Sequence, residues 1–230
     1  MDLAKPCIDV GLNTARVEPM LSFWREEIGL AYEGPLPIRN GLVQHRFVCD
    51  GSIVKINVHV AAPAPGPASG YREVLVAWPG LSSPVRLADP DGNAVCLWPA
   101  GEAGLGQLGV RLRARDLAAH RAFYTAAFGF AEQPSPYPGA VAFAAGRSRL
   151  ILEEDPDAAV DAGFDGPGWR YITLQVFKVD EAHARVLAAG AREAMAPRTL
   201  GTTARISMVL DPDGNWIELS QRASLVGSLE

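Results

Sequence analysis

The sequence has no apolar run approaching the roughly 18 residues needed to cross a bilayer, so no membrane segment is expected. It has little cysteine. Cys7, Cys49 and Cys96 form no Cys-x-x-Cys pair and cannot all be bridged, which excludes a disulfide framework. Basic charge is not in excess: 21 Lys and Arg face 26 Asp and Glu, a formal net charge of −5, and nucleic acid is not an expected partner. The opening Met1-Asp2-Leu3-Ala4-Lys5-Pro6 lacks the basic-then-apolar order of a secretory leader, which with the unpaired thiols points to the cytoplasm. A P-loop, a Gly-x-Gly-x-x-Gly after a strand and a Ser-His-Asp order are also missing, which removes support for NTPases, Rossmann enzymes and triad hydrolases. What is present, 230 residues with 48% hydrophobic and 20% charged, suits one large folded domain or two ordinary ones.

A duplication organises the chain. Phe23-Trp24 followed by Ile28-Gly29-Leu30 returns 100 positions later as Phe123-Tyr124 and Phe128-Gly129-Phe130. Val10 and Leu12 return as Val110 and Leu112, and Asp-Pro-Asp-Gly-Asn stands at 89–93 and again at 211–215. The last offset is 122, so the second copy carries 22 extra residues, which read as a helix over Asp180–Gly190 with Asp180 as its N-cap. The first copy passes from Glu73–Trp78 to Pro84–Asp89 without it. Alternation at Ile8, Val10, Leu12, at Val54, Ile56, Val58, at Leu150, Leu152 and over Tyr171–Val176 predicts strands. Leu21, Trp24 and Ile28 predict a helix, as does Asp116 ahead of Leu117, Tyr124 and Phe128. Each Asp-Pro-Asp-Gly-Asn predicts a tight turn between strands, its Asp-Gly taking positive φ.

Strand, helix with Phe-Trp/Tyr and Gly, two strands, then strand, Asp-Pro-Asp-Gly-Asn and strand resembles the vicinal oxygen chelate superfamily of glyoxalases, bleomycin-resistance proteins and extradiol dioxygenases. The resemblance covers nearly the whole chain. It implies an α+β fold of tandem βαβββ units in two open-barrel domains, at 1–100 (trimmed by one helix) and 105–222, with a tail at 223–230. It also implies a site on the concave sheet faces, where members of the family hold a divalent metal. The ligand positions correspond to Gly109, Ile151, Tyr171 and Glu218 in the second copy, and to Asp9, Lys55, Glu73 and Cys96 in the first. Gly109 and Ile151 carry no donor, and Lys55 brings an ammonium where an ion should sit. The expectation is therefore no cofactor and a metal site largely lost, with a divalent metal left as the alternative.

The strand alternation assigns further residues to the concave faces: Asn57, His59 and Trp98 in the first copy, Arg111, Arg113, Arg149, Thr173, Gln175 and Trp216 in the second, with His45 on or beside a strand. Aromatic walls with a few polar groups are the usual form of a small-molecule site. Arg111, Arg113 and Arg149 offer paired hydrogen bonds to a carboxylate or phosphate, and solvated surface charge is the plainer reading. Glu218 is a candidate base with Tyr171 as donor to an oxyanion, or else a vestigial ligand paired with an arginine such as Arg111. An Asp9–Lys55–Glu73 cluster is the second catalytic candidate. His45 and His59 are candidate acid–base groups, and His120 and His183, among helical alanines, are expected to be exposed and idle.

Three functions follow: proton transfer next to a carbonyl of a small anionic or oxygenated molecule (isomerase or lyase chemistry), sequestration of an aromatic or antibiotic-like compound without turnover, or metal-dependent dioxygenase or glyoxalase chemistry. The partner is a small molecule, and the chain is expected to be a monomer or a homodimer.

Overall fold

The two Asp-Pro-Asp-Gly-Asn turns are built alike. In each, the first aspartate's Oδ1 accepts the backbone N–H groups two and four residues on, at 3.0 and 2.8 Å for Asp89 and at 3.0 and 2.8 Å for Asp211. Only the glycines, Gly92 (φ 84°) and Gly214 (φ 82°), adopt the left-handed conformation. The preceding aspartates do not, because an Asx turn already reverses the chain.

A computed structural model describes residues 1–229. The strands are β1 (Leu3–Thr14), β2 (Ala31–Arg39), β3 (Leu42–Cys49), β4 (Ser52–His59), β5 (Tyr71–Trp78), β6 (Val85–Ala88), β7 (Ala94–Pro99), β8 (Leu108–Ala114), β9 (Ala131–Gln133), β10 (Val141–Ala145), β11 (Ser148–Glu154), β12 (Gly168–Val176), β13 (Arg192–Leu200), β14 (Ala204–Leu210) and β15 (Trp216–Arg222). The helices are α1 (Val17–Ser22, prolonged by a π-helical turn over Phe23–Glu27), α2 (Leu117–Phe128), α3 (Val179–Ala188) and the short α4 (Ala223–Val226), which lies in the tail. Glu230, the last residue of that tail, lies outside the described residues. Asp116 caps α2 through Oδ1 to the Ala119 N–H at 2.9 Å, and Gly129 (φ 68°) ends it. The N-cap of the helix of the 22 extra residues lies two residues earlier than expected. Lys178 is its N-cap, and Asp180 sits in the first turn, where its carboxylate meets Arg205 and complements the helix dipole.

The sheets are open, and each is assembled from both copies. One has the order β13-β14-β15-β12-β1-β4-β3-β2, the other β6-β7-β5-β8-β11-β10-β9. The first strand of the chain thus lies antiparallel to β12 and parallel to β4. The helix-facing sides of both sheets share one core with the helices, including Val10, Ile56, Ile172 and Leu219 from the first sheet, Val74, Val110 and Leu150 from the second, and Trp24, Tyr124 and Val186 from the helices. The opposite face of the second sheet carries a smaller apolar cluster around Leu75, Cys96, Trp98 and Ile151. That of the first sheet is polar yet buried. No helix among the described residues is long and apolar enough to cross a membrane.

Candidate functional site

The polar face of the eight-stranded sheet gathers Asp9 and Asn13 from β1, Lys55 and Asn57 from β4, Gln44 from β3, Thr173 and Gln175 from β12, and Glu218 from β15. Gly11 makes this possible. It stands in register with Lys55 on one side and Tyr171 on the other. A Cβ at Gly11 would collide with the Tyr171 ring, which lies flat across β1. Lys55 reaches across β1 to Thr173 on β12 and Glu218 on β15, spanning strands about 4.8 Å apart.

Lys55 Nζ donates to Thr173 Oγ1 (2.6 Å) and to Glu218 Oε2 (2.9 Å). Thr173 Oγ1 in turn donates to the same carboxylate oxygen at 2.6 Å. The Lys55 side chain is 4% exposed and that of Glu218 13%, so Glu218 is the member open to the outside. Its Oε1 accepts no hydrogen bond among the described residues. Asp9 belongs to a neighbouring group: its Oδ1 accepts Lys5 Nζ and the Ile53 N–H (2.8 Å), and its Oδ2 accepts Gln175 Nε2 (3.2 Å). The Tyr171 hydroxyl receives Asn57 Nδ2 (3.2 Å) and Gln44 Nε2 (3.4 Å). Burial, reinforced by the charge of Glu218, holds its pKa well above the usual phenol range. Phe164 covers Tyr171 and Trp216 at ring distances of 5.2 and 5.1 Å. Its loop is tied down by Asn13 Nδ2 to the Phe164 carbonyl (2.7 Å) and by Trp216 Nε1 to the Ala162 carbonyl (2.9 Å).

Several expected residues lie elsewhere. Glu73 does not join Asp9 and Lys55. It is on β5 in the other sheet, where it pairs with Arg111, because each sheet takes one half of each copy. Arg111 therefore does not partner Glu218. It is held between Glu73 and Glu153, bonding the latter at 2.8 and 2.7 Å. Arg113 pairs with Asp155 at 3.0 Å. Two of the three arginines offered for an anion thus have carboxylate partners. Among the described residues Arg149 bonds only the Ser148 carbonyl (3.2 Å), and burial lowers its pKa.

His45 is registered opposite Ile56, on the helix-facing side. It stacks on Tyr32, whose hydroxyl meets Nδ1 at 2.6 Å, and burial lowers its pKa. The neighbour that reaches the polar face is Gln44. His59 does lie on that face, at the end of β4, its Nε2 buried without a hydrogen-bond partner among the described residues and its pKa lowered by burial. Trp98 is packed beside Tyr137 in the apolar cluster of the other sheet. His120 and His183 are buried rather than exposed, since α2 and α3 turn those positions inward. The His120 ring sits 3.6 Å from Asp211 and 3.5 Å from Asp213. Burial opposes its charge, but the carboxylates, Asp211 first, raise its pKa above the usual value.

Thr173 was visible in the alternation as a face residue. Only the pairing of β12 with β15, Thr173 opposite Glu218, shows that it, rather than Tyr171, is the inner partner. Among the described residues no three His, Cys, Asp or Glu side chains converge as ligands for one ion. The cation at the centre of the site is the Lys55 ammonium.

A family model, "Glyoxalase/Bleomycin resistance protein/Dioxygenase superfamily", matches residues 105–219. Among solved structures, glyoxalase I from Zea mays superposes with a TM-score of 0.74 at 14% identity, covering 96% of this chain and 95% of that one. A putative dioxygenase from Bacillus subtilis subsp. subtilis str. 168 gives a TM-score of 0.73 at 11% identity, covering 93% and 84%. At such identities the likeness is one of fold. No curated protein matches the sequence.

Proposed function

The chain belongs to the glyoxalase/bleomycin resistance protein/dioxygenase superfamily, and from that premise we propose that it acts on a small oxygenated or anionic molecule by proton transfer next to a carbonyl, without a resident metal. The observation that carries this reading is the Lys55–Thr173–Glu218 chain. One carboxylate oxygen is fixed by two donors at 2.9 and 2.6 Å while the other accepts no hydrogen bond among the described residues. A carboxylate held in this way presents a defined lone pair to a C–H group. The proton passes to Glu218 Oε1, the C–H electron pair becomes an enolate, and the developing negative charge is stabilised by the positive field of Lys55. Returning the proton to the opposite face of the same carbon inverts that centre; with a hydroxyketone, the hydroxyl proton moves to the enolate oxygen, and return of the Glu218 proton to the former carbonyl carbon gives the isomeric hydroxycarbonyl.

A divalent ion does not fit this donor set. An ammonium stands 2.9 Å from the one available carboxylate, Asp9 is engaged with Lys5, Ile53 and Gln175, and Gly109 and Ile151 offer no donor. No step is routed through a metal. The matching measurement is metal content of protein purified without chelators: substoichiometric metal, with a melt indifferent to EDTA, iron and zinc, is expected. Stoichiometric metal with an EDTA-sensitive melt would overturn this part of the reading.

Catalysis is tested by following deuterium from solvent into carbon acids, a panel of 2-oxo acids and hydroxyketones, by proton NMR. Exchange at the carbon next to the carbonyl, lost in Glu218→Gln, is expected. Exchange unchanged by Glu218→Gln removes Glu218 as the base. A second reading, binding without turnover, is favoured by the close packing of Phe164 over Tyr171 and Trp216. It predicts no exchange with any carbon acid and saturable binding that Glu218→Gln leaves intact.

A further inference from the structure

Helix α2 meets the second Asp-Pro-Asp-Gly-Asn turn through one fully buried histidine. His120 Nδ1 lies 2.9 Å from the Asp116 carbonyl, which can only accept, so Nδ1 carries a proton. The other ring nitrogen, Nε2, has no hydrogen-bond partner among the described residues and looks onto two carboxylates, Asp211 Oδ2 at 3.6 Å and Asp213 Oδ2 at 3.5 Å. A lone pair there would face negative charge in a place closed to water. Three acceptors around one ring are matched only by the imidazolium, which donates from both nitrogens. The other ionisable neighbours are Tyr124 of the same helix and Tyr71 of β5, both kept neutral by burial, and Asp116, whose carboxylate caps the Ala119 N–H. Arg115 meets Asp213 through its backbone N–H (2.7 Å) and turns its guanidinium to the Pro156 carbonyl (3.0 Å).

The two carboxylates are not held equally. Asp211 accepts the backbone N–H groups of Asp213 and Asn215, the Asn215 amide and the Tyr124 hydroxyl. Among the described residues Asp213 accepts only the Arg115 N–H besides facing the imidazolium. Asp213 is therefore the member that moves when the cation is lost. The first copy shows where it goes. There the residue 100 positions before His120 is Met20, and the aspartate in the place of Asp213 is Asp91. With methionine at that helix position, Asp91 turns outward to Thr14 Oγ1 (2.5 Å) and Arg16 (3.6 Å), its side chain 23% exposed against 9% for Asp213.

The turn also carries the start of the 155–167 segment. The Asp213 carbonyl accepts the Asp161 N–H at 2.9 Å, and a Cβ at Gly214 would collide with Asp161. Trp216 Nε1 holds the Ala162 carbonyl at 2.9 Å, two residues before Glu218 on the same strand. The far end of the segment is anchored elsewhere, by Asn13 to the Phe164 and Gly166 carbonyls and by Arg170 to those of Gly163 and Pro167.

We propose that His120 is a pH-sensitive latch: its imidazolium holds Asp213 inward and the 157–162 stretch down on the turn beside Trp216, and loss of the proton turns Asp213 outward and frees that stretch at the edge of the polar face. Burial opposes the charge, yet the carboxylates, Asp211 first, raise the His120 pKa above its usual value, so the latch is shut on the acid side and opens as pH rises through the folded value. The device governs access to the polar face and stands whichever reaction or ligand that face serves.

The test is amide hydrogen exchange of the full chain from pH 6 to pH 9, with each rate divided by the intrinsic rate at that pH. Mass spectrometry reads peptides within 157–162 and, as the control, within β12. Protection of 157–162 is expected to fall about tenfold or more toward pH 9 while β12 keeps its own, since each pH unit by which the closed form raises His120 is a tenfold change in the latch equilibrium. The midpoint should coincide with the titration of the His120 ring by proton NMR. His120→Met, the side chain of the first copy, should leave 157–162 weakly protected at every pH. Asp213→Asn keeps the turn's carbonyl but has no charge to expel, and should stay protected at pH 9, which covers the case of a poorly folded His120→Met. Protection of 157–162 that does not change with pH in the parent protein, a loss shared equally by β12, or a pH dependence unaltered in Asp213→Asn overturns the proposal.

Discussion

Replacing Lys55 by methionine removes a cation from a place almost closed to water while leaving its carboxylate partner behind. The Lys55–Glu218 separation is 2.9 Å. At an effective dielectric constant of about 20 the Coulombic attraction is roughly 6 kcal/mol, much of it offset by the desolvation of both groups. The pair as a whole therefore contributes little net stability, whereas the single substitution strands a carboxylate beside Thr173 and should cost about 3–5 kcal/mol. For a chain of this length that corresponds to a fall in Tm on the order of 10 °C. Urea unfolding at neutral pH, followed by circular dichroism, reads the loss directly. The double variant Lys55→Met/Glu218→Leu removes the stranded charge and should recover most of it, since apolar replacements of a buried pair are often neutral. A single variant costing under about 1 kcal/mol, or a double variant costing the sum of the singles, would refute the argument that these groups form one coupled unit.

Two further perturbations probe the surroundings. Gly11→Ala places a methyl group into the Tyr171 ring and should cost about 1–3 kcal/mol; Tyr171→Ala in the same chain should make the pair less damaging than additive, and strict additivity in urea unfolding contradicts the contact. His120 has a folded-state pKa raised chiefly by Asp211 over the opposing effect of burial. Its contribution to stability is thus fully present below the unfolded imidazole pKa of about 6.5 and is lost as pH rises through the folded value. Urea midpoints measured from pH 5.5 to 8.5 should show this component, and His120→Gln should remove it; an identical pH profile in the variant rules it out.

The repeat, the Asp116 cap of α2 and the places of the two turns were legible in the sequence because each depends on residues within a few positions of one another. Alternation likewise assigned Asp9, Lys55, Asn57, Thr173 and Glu218 to faces turned away from the helices. It could not show that β1 lies beside β12, or that β5 lies beside β8, since strand pairing over such separations is governed by packing of the whole core. That pairing divides the expected Asp9–Lys55–Glu73 cluster and gives Lys55 to Glu218 and Arg111 to Glu73. His45 went astray through a one-residue step along β3, which exchanges the two faces of a strand. His120 and His183 were misjudged because alanine-rich helix sequence does not reveal which side meets the core. By itself, then, the sequence determined the family, the local elements and the chemical kinds of side chain available on each face. Which of them meet was decided only by the tertiary structure, because charge pairs and hydrogen bonds act over a few ångströms between residues 38 positions apart for Arg111 and Glu73 and 163 apart for Lys55 and Glu218.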